Sequence, residues 1–190
     1  MVLPPERMKV KVCMVGEAAV GKSSIVRRYI HNTFDEKYTA TLGARIMAKD
    51  IVVPEDTGDV AVKMMVWDIM GETTLLAAVE EGYFYNAQGI VAVCDLTRFS
   101  TFERLPEWIQ RVQRVAGDVP IALAVNKMDL KDEALILYDE YRVAQYAEEI
   151  GARWCQTSAK TGENVEAMFQ GLTTDILALA RRQTSEFLRP

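Results

Sequence analysis

The sequence holds one histidine and three cysteines among 190 residues, and its 22 lysines and arginines are outnumbered by 27 acidic residues. Each shortage removes a class of function. His31, in Ile30-His31-Asn32-Thr33 after the first helical pattern, has no second histidine or nearby cysteine with which to share a metal, so it reads as a surface or loop residue. Cys13, Cys94 and Cys155 each lie in or beside an apolar run without ligand spacing, which suits buried, inert thiols in a reducing compartment. A net charge of −5 and a pI near 5.1 leave no basic surplus for nucleic acid or an anionic membrane. No apolar run approaches the length of a membrane span. The start, Met1-Val2-Leu3-Pro4-Pro5, lacks a signal-peptide core and a glycine at the second position. The end, Thr184-Ser185-Glu186-Phe187-Leu188-Arg189-Pro190, lacks cysteine, so no direct lipid anchor is expected. These absences describe a cytoplasmic protein whose partners are proteins and a small anion, with any membrane recruitment left to those partners.

What is present suits a single domain over residues 1–190, since 49% of the chain is hydrophobic and no repeat or low-complexity tract interrupts it. Apolar runs alternate with amphipathic segments, the pattern of a mostly parallel sheet with helices on both faces. The strands expected are Val10–Val15, Ile90–Cys94, Ile121–Val125 and Arg153–Thr157, with helices near Lys22–Ile30, Thr101–Ala116, Asp139–Ile150 and Asn164–Arg181. Leu105, Ile109, Val112 and Ala116 mark one buried helical face, and Val165, Met168, Phe169, Leu172 and Ile176 another. One pair breaks the parallel order. Ala44–Val53 and Val60–Trp67, joined by the turn-rich Pro54–Asp59, read as an antiparallel hairpin.

The stretch from Gly16 to Ser23 reads G-x-x-x-x-G-K-S and stands between a strand and a helix, as a phosphate-wrapping loop must. Gly16 and Gly21 let the backbone curl so that successive N–H groups face phosphate oxygens, with the following helix N-terminus adding favourable charge. Glu17, Ala18, Ala19, Val20, Gly21, Lys22, Ser23 and Ser24 are therefore expected around the phosphates, Lys22 at the β- and γ-phosphates and the Ser23 hydroxyl on a magnesium ion. Three further loops should open on the same crevice, because loops at the carboxyl ends of parallel strands converge. In Asp68-Ile69-Met70-Gly71, Asp68 can support the metal and the Gly71 N–H can meet a γ-phosphate oxygen. In Asn126-Lys127-Met128-Asp129, the Asp129 carboxylate can accept two hydrogen bonds that guanine offers and adenine does not. In Thr157-Ser158-Ala159-Lys160, the Ala159 N–H can reach the guanine carbonyl, with Ser158 and Lys160 beside it.

These motifs, from about Lys9 to Arg181, resemble the Ras superfamily of small GTPases, its Rab-like and Ras-like members most. The resemblance implies a P-loop α/β fold: a six-stranded, mostly parallel sheet with one antiparallel edge strand, flanked by about five helices. It implies GTP or GDP with Mg2+ as ligands, Phe34 edge-on to the guanine, and Tyr38 closing over the phosphates. It also implies that Thr41 reaches the metal when a γ-phosphate is present. Two switch segments, one around Tyr38–Gly43 and one after Asp68, would signal to protein effectors and be acted on by an exchange factor and an activating protein. Asp95-Leu96-Thr97 looks like a structural or peripheral segment of the family.

Hydrolysis would engage Lys22, Thr41, Gly71 and the residue after that glycine, where the family usually carries Gln and this chain has Glu72. A carboxylate accepts a hydrogen bond from water but cannot donate one to a phosphate, and its charge faces a polyanion, so slow GTP hydrolysis is expected. The other open outcome is Glu72 as a general base with an altered pH dependence. Ala18 adds a methyl where Ras has glycine near the γ-phosphate, and Met70 adds bulk to the second switch. The alternative reading is a nucleotide-binding scaffold with negligible turnover. An ATP-dependent kinase is disfavoured by Asn126-Lys127-Met128-Asp129.

Overall fold

A computed structural model describes residues 8–37, 40–54, 58–71, 80–132 and 139–187. Strands β1 (Met8–Val15), β2 (Ala44–Val53), β3 (Val60–Ile69), β4 (Gly89–Asp95), β5 (Ile121–Asn126) and β6 (Arg153–Gln156) form one six-stranded sheet in the order β2-β3-β1-β4-β5-β6. β1 pairs in parallel with β3 and β4, and β5 pairs in parallel with β4 and β6. β2 runs antiparallel to β3 from Ala44 opposite Ile69 to Val53 opposite Val60, which makes it the antiparallel edge strand expected. β4 and β5 are buried at every position, so their sequences are unbroken apolar runs up to a polar last residue. β2 instead carries Lys49 and Asp50 along an edge that alternates in exposure, a charge pattern that discourages further strand addition.

The helices are α1 (Lys22–His31), α2 (Glu80–Phe84), α3 (Phe99–Glu103), α4 (Leu105–Ala116), α5 (Glu140–Glu149) and α6 (Val165–Phe187). Counting α3 with α4, which continues it, the described residues hold the five helices expected. α1 ends where Asn32 turns left-handed at φ 52° and returns its N–H to Arg28 O. α5 starts at Asp139, whose carboxylate accepts from the Tyr141 and Arg142 amides.

Alternation along β1 builds both cores. Val10, Val12 and Met14 face α1 and α6, meeting Ile25, Val26, Phe169, Leu172 and Ile176, while Cys13 and Val15 face the layer of Leu105, Trp108, Val112 and Val143. Burial pushes the Cys13 and Cys94 thiols up to about 12, in line with inert side chains. Among the described residues no helix is long and apolar enough to cross a membrane.

Several boundaries differ from expectation, most by a residue or two. β3 runs on to Ile69 and takes Asp68 into the strand. His31 closes α1 and does not follow it. The Thr101–Ala116 pattern is two helices, because Pro106 has no N–H to continue a ladder and serves the first turn of a new helix after Arg104. The last helix reaches Phe187, beyond Arg181.

The fold leans on the face where Tyr29 stacks on Phe169, ring centroids 3.9 Å apart, with Phe169 fully buried. Phe169→Ala should lower the unfolding free energy by roughly 3–5 kcal/mol, read as a reduced midpoint in urea at constant slope; a loss below about 1 kcal/mol would contradict this placement.

Candidate functional site

The carboxyl ends of β1, β3, β5 and β6 open on one edge of the sheet, and the loops that leave them surround a cleft of about 400 Å3. Ala18, Ala19, Gly21, Lys22, Ser23, Ser24, Phe34, Thr41, Gly71, Asn126, Lys127, Asp129, Ala159 and Lys160 all line it. Of the remaining expected site residues, Val20, Asp68 and Ser158 are buried behind the wall, and the Glu17 side chain turns toward Trp108. Tyr38 and Glu72 lie outside the described residues.

The loop after β1 curls because Gly16 and Gly21 take φ values of 135° and 99°. No larger residue fits there either: a Cβ on Gly16 would lie 2.2 Å from Val93 O, and one on Gly21 2.3 Å from Asn126 Nδ2. Gly71 approaches from the end of β3 so closely that its Cβ would meet Ala18 N at 2.5 Å. The curl wraps the Lys22 ammonium, 6% exposed, which donates to Gly16 O at 2.7 Å and Glu17 O at 2.8 Å. Burial lowers the Lys22 pKa to about 8, against the opposing charges of Asp68 and Glu17.

Beside it three oxygen-bearing side chains from three elements meet. The Ser23 hydroxyl donates to Asp68 Oδ2 at 2.5 Å and lies 2.9 Å from Thr41 Oγ1. Asp68 is completely buried, and its Oδ1 has no hydrogen-bond partner among the described residues. Burial raises the Asp68 pKa even though Ser23 and Lys22 pull it down. A buried carboxylate with an orphaned oxygen and two hydroxyls is a donor set of hard oxygens, the kind that suits Mg2+.

At the other end of the cleft Asp129 accepts from the Ser158 hydroxyl at 2.5 Å. The Asn126 side chain does something the motif alone does not suggest: it is 2% exposed and spends its contacts on protein. Its Nδ2 donates to Val20 O at 2.9 Å, and its Oδ1 accepts from Ala159 N at 3.2 Å and Thr157 Oγ1 at 3.3 Å. The residue expected at the base, which lines the cleft, thus also ties the phosphate loop to the loop after β6, and it accepts the Ala159 N–H. Lys127, at φ 70°, pairs with Asp95 at 2.7 Å.

Several residues that sequence reading passed over hold this edge together. Arg28 on α1 donates to Ala159 O at 2.9 Å and Lys160 O at 2.5 Å. Trp108 donates to Glu17 Oε1 at 3.2 Å. Asp95, in a segment expected to be structural or peripheral, has the structural part: its fully buried carboxylate accepts from Lys127, Thr97 and Arg98. No local motif announces the contacts of Arg28, of Trp108 or of Asp95 with Lys127, because each joins positions far apart in the chain.

Residues 11–178 match the Ras family. The GTP-binding protein ypt5 of Schizosaccharomyces pombe is 34% identical over 163 residues, 85% of this chain and 75% of the relative. The Ras-related protein Rab-5A of Dictyostelium discoideum is 35% identical over 160 residues, covering 84% and 76%. The Ras-related protein Rab-31 of Homo sapiens is 32% identical over 169 residues, covering 88% and 83%. A phosphate-loop curl around a buried lysine, on a six-stranded sheet whose sequence matches along nearly its whole length, makes this chain a Rab-like small GTPase of the Ras family.

Proposed function

We propose that the cleft binds GTP and GDP with Mg2+, and that the protein is a switch that hydrolyses GTP slowly. The observation that carries the reading is the meeting of Ser23, Thr41 and Asp68 beside the buried Lys22 ammonium, at the opposite end of the cleft from a Ser158-oriented Asp129. In it Lys22 and the amides of Glu17 through Ser24 bind the phosphates, and Gly71 meets the γ-phosphate. Ser23 and Thr41 hold the metal with Asp68 behind them. The ion, when bound, supplies charge that neutralises the leaving phosphate oxygens. Asp129 accepts the two guanine hydrogens, with its orientation fixed by Ser158, and Phe34 covers the base edge.

Thr41 couples occupancy to signalling. It stands beside Leu42, which is 88% exposed, and the neighbouring Ile46 is also exposed. A hydroxyl that engages the metal in the triphosphate state would order this apolar segment for protein effectors and regulators. Met70 links the two switch segments, donating its N–H to Gly43 O at 2.9 Å. Glu72 follows as the hydrolytic residue, poorly suited to donate toward a phosphate.

Three outcomes check this reading. Asp129→Asn should weaken GDP binding at least ~100-fold, the loss of two charge-assisted hydrogen bonds, and gain xanthosine diphosphate instead; unchanged guanine affinity by fluorescent-nucleotide titration would overturn the base assignment. Because the Lys22 pKa of about 8 lies below its ordinary 10.5, and a bound phosphate favours the charged form, GDP binding takes up a proton in that window. Affinity therefore falls as pH rises through about 8. Calorimetry in buffers of different ionisation enthalpy at about pH 8.5 should show the uptake in the wild type and not in Lys22→Arg, whose guanidinium stays charged. Finally, Glu72→Gln should raise the single-turnover rate of GTP cleavage by about tenfold or more, and a wild type as fast as the variant would remove the slow-turnover claim.

A further inference from the structure

The phosphate loop is gripped from behind by a residue that belongs to none of the motifs around the cleft. Arg98 lies in the loop between β4 and α3, and neither it nor Asp95 lines the cleft. Its Nη2 donates to the Ala18 carbonyl at 3.0 Å while its Nε donates to Asp95 Oδ2 at 2.9 Å. That same carboxylate oxygen receives the Lys127 ammonium at 2.7 Å. The other oxygen, Oδ1, accepts from the Thr97 amide at 3.0 Å and its hydroxyl at 2.7 Å. Burial opposes the charge on Asp95, yet the hydrogen bonds from Lys127, Thr97 and Arg98 outweigh it and hold the carboxyl below its ordinary value. A forked guanidinium thus joins a buried, fixed anion to one backbone oxygen of the phosphate loop.

The chosen oxygen matters. In a planar trans peptide the C=O and the N–H point in opposite directions. Drawing the Ala18 carbonyl outward toward Arg98 therefore turns the Ala19 N–H inward, to the side that Ala18 and Ala19 present to the cleft. Ala19 itself stands at φ 61°, a left-handed conformation that residues other than glycine avoid, so this peptide needs holding from outside. We propose that Arg98 is a positioning residue that fixes the peptide between Ala18 and Ala19 with its N–H facing the bound phosphates, and so sets the rate of nucleotide release. The proposal rests on the guanine-nucleotide reading above and adds a determinant of residence time to it. The Asp95–Lys127 arm extends the same tie to the base loop, so phosphate and base ends are held by one anion.

The test uses the full chain loaded with GDP. Release is followed by stopped-flow fluorescence, the bound β-phosphate by 31P NMR, and the preference for GDP over inosine diphosphate by competition. The Arg98 side chain is 43% exposed, so solvent screens the tie, and Arg98→Ala should speed release about threefold to tenfold. The bound β-phosphate resonance should shift, and the guanine preference should stay unchanged, since Asp129 is untouched. Arg98→Lys keeps the charge but loses the fork that spans both partners, and should release nearly as fast as Arg98→Ala. Unchanged release in Arg98→Ala, or faster release without a change in the 31P resonance, would overturn the proposal. So would wild-type behaviour in Arg98→Lys, because charge alone would then suffice, or a fall in single-turnover GTP cleavage with release unaltered, which would make Arg98 part of the chemistry. A wild type that fails to bind GDP would take the proposed function down with it, whereas a tight-binding wild type beside an unaffected Arg98→Ala would sink this inference alone.

Discussion

Burying an ammonium costs free energy unless oxygens surround it, and the loop after β1 bends as it does because that bend supplies them. Lys22 reaches back over its own loop to Gly16 O and Glu17 O, so the backbone that exposes its N–H groups on one side offers its carbonyls to the lysine on the other. The arrangement is poised and not relaxed. Its depressed pKa says that the charge is held at some expense, which an incoming polyanion would relieve. Asp68 is strained in the opposite sense, its carboxyl raised by burial with one oxygen left without a partner. Two buried groups of opposite sign, each short of solvation, stand side by side, the ammonium favouring an anion and the carboxylate a cation.

The sheet makes this possible by bringing distant loops to one edge. β1 lies centrally, between β3 and β4, so the phosphate loop leaves the middle of the sheet and is flanked by Gly71 from one side and by the β4 loop from the other. Parallel order puts the Asn126 and Ser158 loops at the same edge further along. The antiparallel β2 reverses direction, which brings its own leading segment, Thr41 to Gly43, to that edge too. A two-residue slip in any of these registers would move a ligand group by a full pleat repeat, about 7 Å, so core packing on both faces and site geometry are one constraint.

This division explains what could be read in advance. Strand order alternation, the hairpin of Ala44–Val53 with Val60 onward, and the buried faces of α4 and α6 follow from periodicity, which is a local property. Most liners of the cleft were legible as short motifs, each confined to a single loop, whereas Phe34 and Thr41 were implied only by the family resemblance. Struts were not. Arg98 meets Ala18 across 80 residues, Trp108 meets Glu17 across 91 and Arg28 meets Ala159 across 131, and nothing in the neighbourhood of any of them signals the partner. Asn126 is the instructive case: its motif places it at the cleft, while its bonds to Val20 and Ala159, which the motif does not announce, also make it a beam between loops. Helix ends were misjudged for a simpler reason, since Pro106 resets the helix by local covalent geometry that the apolar pattern runs straight through.

On the proposed reading most of the donors to phosphate are backbone amides, which every sequence possesses, so the identity of side chains there matters less than what aims the peptide units. Aim comes from behind: Lys22 holds the carbonyls of Gly16 and Glu17, Asn126 holds that of Val20, and Arg98 holds that of Ala18. Four of the five carbonyls from Gly16 to Val20, all but that of Ala19, are thus fixed by side-chain hydrogen bonds. The struts that do this lead on to the base loop, through Asn126 to Ala159 and through Asp95 to Lys127. On the proposed reading, a nucleotide settling at either end would meet an opposite end already ordered by the same side chains, with the entropy of arranging the second half spent before contact. Two modest half-sites held in one frame can in this way bind far more tightly than either could alone, without any further contact to the ligand.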